Sequence, residues 1–240
     1  MRLFDFSLLV GSDPRSASDC ASDALYRYLN EADAGGLVAS LAGAYYDFIA
    51  GNAETLALAT ADKRLLPAFT LDPRRVDARD VDLKAAAARG FQALALFPAI
   101  QRWALSHPAL EGIVKRAAEA KLPIVLHVPR SESAASARRI AQMVDVPVVT
   151  IGIAYGSLGD VVAGAEGAPN LLFGMSLFVG LDNVETLVKR VGADRLVFDS
   201  GEPRLSHAPG LALLEAADIN EAQRDAIAIG NARRIFGGAL

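Results

Sequence analysis

His127 closes the apolar run Leu122-Pro123-Ile124-Val125-Leu126-His127 and is one of three histidines in 240 residues. Imidazole titrates near neutrality, so a histidine at the end of a buried strand is a candidate general base. Asp199 ends a second apolar run, Arg195-Leu196-Val197-Phe198-Asp199. A carboxylate there could orient the imidazole and raise its pKa. Ser7, within Leu3–Val10, offers a hydroxyl as a nucleophile or a substrate ligand. The opposed reading is a satisfied polar pair in a core, with His127 and Asp199 bonded to each other or to backbone.

Eight short apolar runs can carry these residues: Leu3–Val10, Leu37–Leu41, Leu65–Leu71, Ala93–Phe97, Pro123–Val128, Val146–Ile151, Leu171–Gly174 and Arg195–Asp199. Helix-like stretches alternate with them. Ala21–Glu31 has apolar residues at helical spacing, Ala53–Ala61 follows Asn52 as N-cap, and Asp82–Arg89 stops at Gly90. Pro108–Ala120 is expected to be capped by Ser106, and Ser131–Met143 begins with a capping serine. Asn183–Val191 and Leu211–Ala217 follow the last two strands. Asn220 and Gln223 are spaced as a capping box for Glu221–Ile229, and a final turn starts at Asn231.

Strands alternating with helices imply a parallel sheet. Eight such units over residues 1–240 predict an α/β fold, a single-domain (β/α)8 TIM barrel, for which about 250 residues is typical. The rival is an open doubly wound sheet. Its glycine-rich phosphate turn has no counterpart in Gly11-Ser12-Asp13-Pro14.

Strand residues alternate between barrel interior and helix layer. By parity Asp5 goes with Ser7, Val125 with His127, and Asp199 with position 201 but about 6–7 Å deeper. An inward set of Asp5, Ser7, His127 and Asp199 is therefore expected near the mouth, with His127, Asp199 and Ser7 as the catalytic candidates. Loops after the strands would add Arg102, Arg130, Tyr155, Glu202 and His207 as substrate-binding residues, the arginines suited to clamp a carboxylate. Asp72, before Pro73, reads as a turn residue.

Hydrophobic residues make up 52% and charged residues 22%, which is a globular composition. A net charge of −4 argues against nucleic acid, since Arg138-Arg139 and Arg233-Arg234 read as solvated helix faces. The single Cys20, next to Asp19, excludes an intrachain disulfide and reads as buried or idle. No apolar run reaches the roughly 18–20 residues of a membrane helix, and no signal-peptide pattern opens the chain, so a cytoplasmic protein with a small-molecule ligand is expected. The composition sets no oligomeric state.

An ordered series of segments resembles the amidohydrolase superfamily in its amidohydrolase-related branch. Phe4–Gly11 looks like its opening strand, Leu66–Pro73 its third, Gly90–Pro98 its fourth and Leu122–His127 its fifth. Gly192–Ser200 looks like its eighth strand, and Gly230-Asn231-Ala232-Arg233-Arg234-Ile235-Phe236-Gly237 its closing helix. The resemblance implies a divalent metal held by strand-end histidines, with a strand-eight aspartate serving its water; zinc takes about three protein ligands. At the positions so implied this chain has Ser7, Leu9, Phe97, His127, Gly152 and Gly201, so only the strand-five histidine is kept. No cofactor and no standard metal site are therefore expected, and Phe97 could pack into space left by the two glycines. A new site from His127, Asp199 and His207 is an alternative that no spacing requires. The resemblance implies a hydrolase acting on a small, for instance carboxylated, molecule with His127 as general base. The alternative is a non-catalytic pseudoenzyme, a binding or scaffold relative.

Overall fold

The computed structural model describes residues 2–14, 19–77, 80–128, 134–152, 158–175, 180 and 182–240. Its strands are β1 (Leu3–Ser12), β2 (Asp19–Cys20), β3 (Ala34–Ser40), β4 (Leu65–Thr70), β5 (Ala93–Leu96), β6 (Ile124–His127), β7 (Val148–Ile151), β8 (Leu171–Gly174) and β9 (Leu196–Val197). They form one sheet in the order β2-β1-β3-β4-β5-β6-β7-β8-β9. Every pairing from β1 through β9 is parallel, whereas β2 is a short antiparallel addition to β1. The ends meet where Phe6 N donates to Phe198 O (3.1 Å) and Leu9 N to Glu202 O (2.9 Å). The chain is thus a single-domain (β/α)8 barrel of eight parallel strands, nearly closed.

The strands are apolar on both faces because the barrel is packed inside and helix-covered outside. Phe4, Phe6, Leu66, Ala93, Ala95, Val125, Val149, Leu172 and Val197 fill the interior, so aromatic rings of β1 lie across from alanines of β5. Phe4 and Phe6 meet edge to face at 5.1 Å. Phe236, from the C-terminal helix Asn231–Phe236, packs against both at 5.4 and 5.8 Å. The outward residues Leu8, Val10, Leu94, Leu126, Phe173 and Phe198 pack under the helices.

Strict alternation fails on β1. Its register against β3 shifts between Asp5 and Leu8, so Phe4, Phe6 and Leu9 face inward while Leu3, Leu8 and Val10 face outward. The inward position expected for Asp5 is therefore wrong. The bulge separates it from Ser7, and Asp5 sits on the helix side, accepting from Tyr28 Oη of the helix Ser22–Glu31 at 2.9 Å.

Helix ends differ from expectation where side chains found tertiary partners. The helix expected from Ala53 begins at Phe48, capped by Asp47, whose Oδ1 accepts from Ile49 N and Ala50 N. Asn52 is buried inside that helix and exchanges two 2.8 Å hydrogen bonds with the backbone of Thr70. Ser106 caps nothing; the helix Leu110–Glu119 is preceded by His107, whose Nδ1 accepts from Ala109 N. The Asn220–Gln223 capping box forms as expected. Asp72 takes the turn role, accepting from Arg74 N at 3.0 Å. Cys20 is buried. No helix among the described residues is long and apolar enough to cross a membrane.

Candidate functional site

The C-terminal ends of the barrel strands surround a cavity of about 190 Å³. Ser7 and Leu9 of β1, His127 of β6, Ile151 and Gly152 at the end of β7, and Asp199, Ser200, Gly201, Arg204 and Leu205 after β9 line it. Ala99 and Ile100, from the short helix Pro98–Gln101, complete the wall. Five of the six positions at which the family resemblance places metal ligands border this space; their chemistry here is one imidazole, one hydroxyl and otherwise no donor side chain.

Phe97 is the sixth, and it does not fill the cavity. It is fully buried and stacks on His127, with ring centroids 4.3 Å apart and planes at 23°. The space beside Gly152 and Gly201, where the ring was expected, remains part of the cavity. Both glycines have positive φ, +88° and +78°. The backbone itself therefore disfavours a ligand side chain at either position.

His127 is partly buried at the cavity edge. Burial first, and the Arg204 guanidinium second, push its imidazole down to about 3. The expectation that a carboxylate neighbour raises this pKa is thereby corrected: the pKa is lowered, and the charge that contributes to the shift is that of Arg204. His127 is a neutral imidazole at physiological pH. Its Cε1–H chemical shift should stay flat between pH 5 and 8, and a titration midpoint near 6.5 would refute that electrostatic picture.

Arg204 is a site residue that the sequence alone does not single out. It lies in the loop Gly201-Glu202-Pro203-Arg204-Leu205, borders the cavity, and touches Asp13 Oδ2 only at 3.5 Å. Its Nε–H is buried and meets no acceptor among the described residues. The one signal for it in the sequence is its place in the loop after the last barrel strand, where such barrels collect functional groups.

The remaining candidates divide clearly. Asp199 is fully buried, faces inward as expected and borders the cavity with Ser7. Ser7 Oγ accepts from Gly201 N at 2.7 Å and lies 3.4 Å from Asp5 Oδ1. Asp5 does not reach the cavity. Glu202 and His207 bond each other at 2.7 Å, and the His207 ring packs on Tyr28 at 4.6 Å, so both turn away from His127. Arg102 ends its helix in a left-handed conformation and is exposed, outside the cavity. Arg130 and Tyr155 lie outside the described residues. Among the described residues no three of His, Cys, Asp and Glu converge as a metal site, and His127, Asp199 and His207 form no such group.

Residues 11–238 match the family model described as amidohydrolase. No curated protein sequence matches the chain. Among solved structures, 5-carboxyvanillate decarboxylase from Sphingomonas paucimobilis is 13% identical with a TM-score of 0.75, covering 98% of each chain. A 2-pyrone-4,6-dicarboxylic acid hydrolase candidate from Acinetobacter baumannii, solved with citric acid bound, is 13% identical with a TM-score of 0.74, covering 99% of this chain and 100% of that one. A dihydroxybenzoic acid decarboxylase from a Polaromonas species, with bound manganese and 2-nitroresorcinol, is 13% identical with a TM-score of 0.75, covering 98% of this chain and 96% of that one. These similarities establish a shared fold.

Proposed function

This chain belongs to the amidohydrolase family, and from that premise we propose that its mouth cavity binds a small carboxylated molecule without a resident divalent metal. The observation that carries the reading is Arg204, which borders a cavity whose walls combine apolar side chains with Ser7, His127, Asp199 and Ser200, and whose Nε–H meets no acceptor among the described residues. A guanidinium at a cavity wall matches a carboxylate in charge and shape. The cavity is smaller than the roughly 300–1,000 Å³ of drug-sized pockets, which suits a one-ring acid. Leu9, Ile100, Val128, Ile151 and Leu205 would hold the ring. Structural neighbours named for carboxylated aromatics are consistent with this class.

The donor set does not fit the family's metal. One histidine remains of the implied ligands, and Arg204 brings positive charge close enough to depress that histidine. With a carboxylate on Arg204, His127 faces the ring as a neutral hydrogen-bond partner. It becomes a better proton acceptor once the carboxylate cancels the guanidinium charge, although burial still opposes its protonation. In this reading Asp199 lies beside the reacting part of the molecule and Ser7 is a ligand to it. The Ser7 oxygen is already engaged by Gly201 N, which makes attack the poorer use of the hydroxyl.

A second reading, binding without turnover, is favoured by the depressed basicity of His127. Calorimetry with benzoate on chelator-treated protein tests the common premise. Binding should appear without metal and change less than about twofold when zinc or manganese is added. Binding that appears only after metal addition would overturn the proposal. Products found by mass spectrometry with substituted benzoates, and lost in His127→Gln, would select the catalytic reading.

A further inference from the structure

Asp5 is fully buried and does not border the cavity, yet Ser7 N, Ser7 Oγ, Tyr28 Oη, Ser200 N and Ser200 Oγ converge on it as donors. We propose that Asp5 is a positioning residue: it fixes the loop Ser200–Leu205 so that Arg204 meets a carboxylate in the cavity. The inference rests on the reading of that cavity as a carboxylate site.

The loop needs an external anchor. The strand before it, β9, is only two residues long, so little ladder sets the path of the chain beyond it. Three successive loop amides instead end on side chains centred on Asp5. Ser200 N donates to Asp5 Oδ1 at 3.1 Å, Gly201 N to Ser7 Oγ at 2.7 Å, and Glu202 N to Ser200 Oγ at 3.0 Å. Asp5 holds the two hydroxyls that receive the latter pair. Its Oδ1 accepts from Ser7 N at 3.0 Å and lies 3.4 Å from Ser7 Oγ, while Ser200 Oγ donates to its Oδ2. Tyr28 Oη donates to Oδ2 at 2.9 Å from the helix side. One carboxylate thus ties the bulge of β1 to the loop after the last strand.

The chemistry of the cluster favours the carboxylate. Two backbone N–H groups that can only donate and three hydroxyls face Asp5, and an ionised carboxylate accepts from all of them on its two oxygens. Burial pushes the Asp5 carboxyl up, and the bonds from Ser200, Ser7 and Tyr28 act against that push in favour of the charged form. Asparagine would keep the volume and one acceptor but replace Oδ2 by an NH2 group, which forces the Ser200 and Tyr28 hydroxyls to reverse from donating to accepting. Arg204 depends on this scaffold because, among the described residues, its side chain makes the long contact to Asp13 and its Nε–H finds no acceptor. Its position is therefore set by its backbone.

The test compares benzoate with benzamide by calorimetry in wild type, Asp5→Asn and Arg204→Gln. Wild type should prefer benzoate. Arg204→Gln should abolish the preference, and Asp5→Asn should reduce it about tenfold while benzamide affinity stays within about twofold. A merely structural Asp5 would lower thermal stability and leave the preference intact. If Arg204→Gln loses the preference and Asp5→Asn retains it, the positioning role is overturned and the carboxylate site stands. If Arg204→Gln retains it, the carboxylate site falls, and the positioning role with it. Should Asp5→Asn not fold, Tyr28→Phe removes one donor from Asp5 outside the cavity: a loss of preference of about threefold or more supports the role, and an unchanged preference overturns it.

Discussion

Arg204→Gln is expected to weaken benzoate binding roughly 30- to 150-fold, the loss of about 2–3 kcal/mol that accompanies removal of one partner of a desolvated charge-assisted pair. The size of the effect comes from the site's asymmetry. Arg204 exposes about a third of its side chain (33%), so part of its charge stays solvated, while its Nε–H is buried. Glutamine keeps a donor and loses both the charge and the planar fork. The same change acts on His127. Removing the guanidinium lifts one of the two causes that depress the imidazole, so its titration should move upward from about 3 while burial keeps it below 6.5. Calorimetry and the His127 Cε1–H shift read the two consequences separately. A variant that binds benzoate within about threefold of wild type would remove Arg204 from the site.

Why the barrel is legible in the sequence and the site only partly so comes down to two kinds of residue. Strands such as Leu171–Gly174, Leu65–Thr70 and Ile124–His127 announce themselves because both faces are buried, and a continuous apolar run bounded by polar turns has one physical use. The inward direction of Asp199 comes from alternation with Val197, which lies in the barrel interior. Alternation misplaces Asp5 because a bulge moves every later residue by one position without leaving a mark in composition. Asn52 misleads for a related reason: an asparagine reads as a cap until its two bonds to Thr70 are seen. The pKa of His127 moves in the direction opposite to the one parity implies. Parity places carboxylates near it, but Arg204 arrives through a loop whose path is set by long-range bonds to Asp5 and Ser7. Loops fixed by tertiary hydrogen bonds leave no periodic signal, and this site is built largely on one.

Gly36→Ala should destabilise the fold by about 3 kcal/mol, the upper part of the range for overpacking a filled site. At roughly 2–4 °C per kcal/mol for a chain of this size, the midpoint of thermal unfolding falls by about 6–12 °C. Gly36 lies on β3 opposite Asp5 in the register of β1. A methyl carbon there would sit 2.4 Å from the Asp5 carbonyl oxygen and 2.6 Å from Leu8 Cδ1. Neither neighbour yields freely. The first is backbone at the start of the bulge, and Leu8 is fully buried among the residues beneath the helices. Gly36 cannot retreat either, because its own N–H is held by Arg64 O at 2.9 Å on the far side. Relief must come from β1 moving away from β3, which displaces the segment that carries both Asp5 and Ser7. The glycine and the bulge are thus one device: the close approach of the two backbones is what lets Asp5 turn to the helix side and Ser7 turn to the mouth. A drop in unfolding midpoint of less than about 2 °C would mean that β1 has slack at the bulge, and a segment with slack could not hold Ser7 and the Arg204 loop in register.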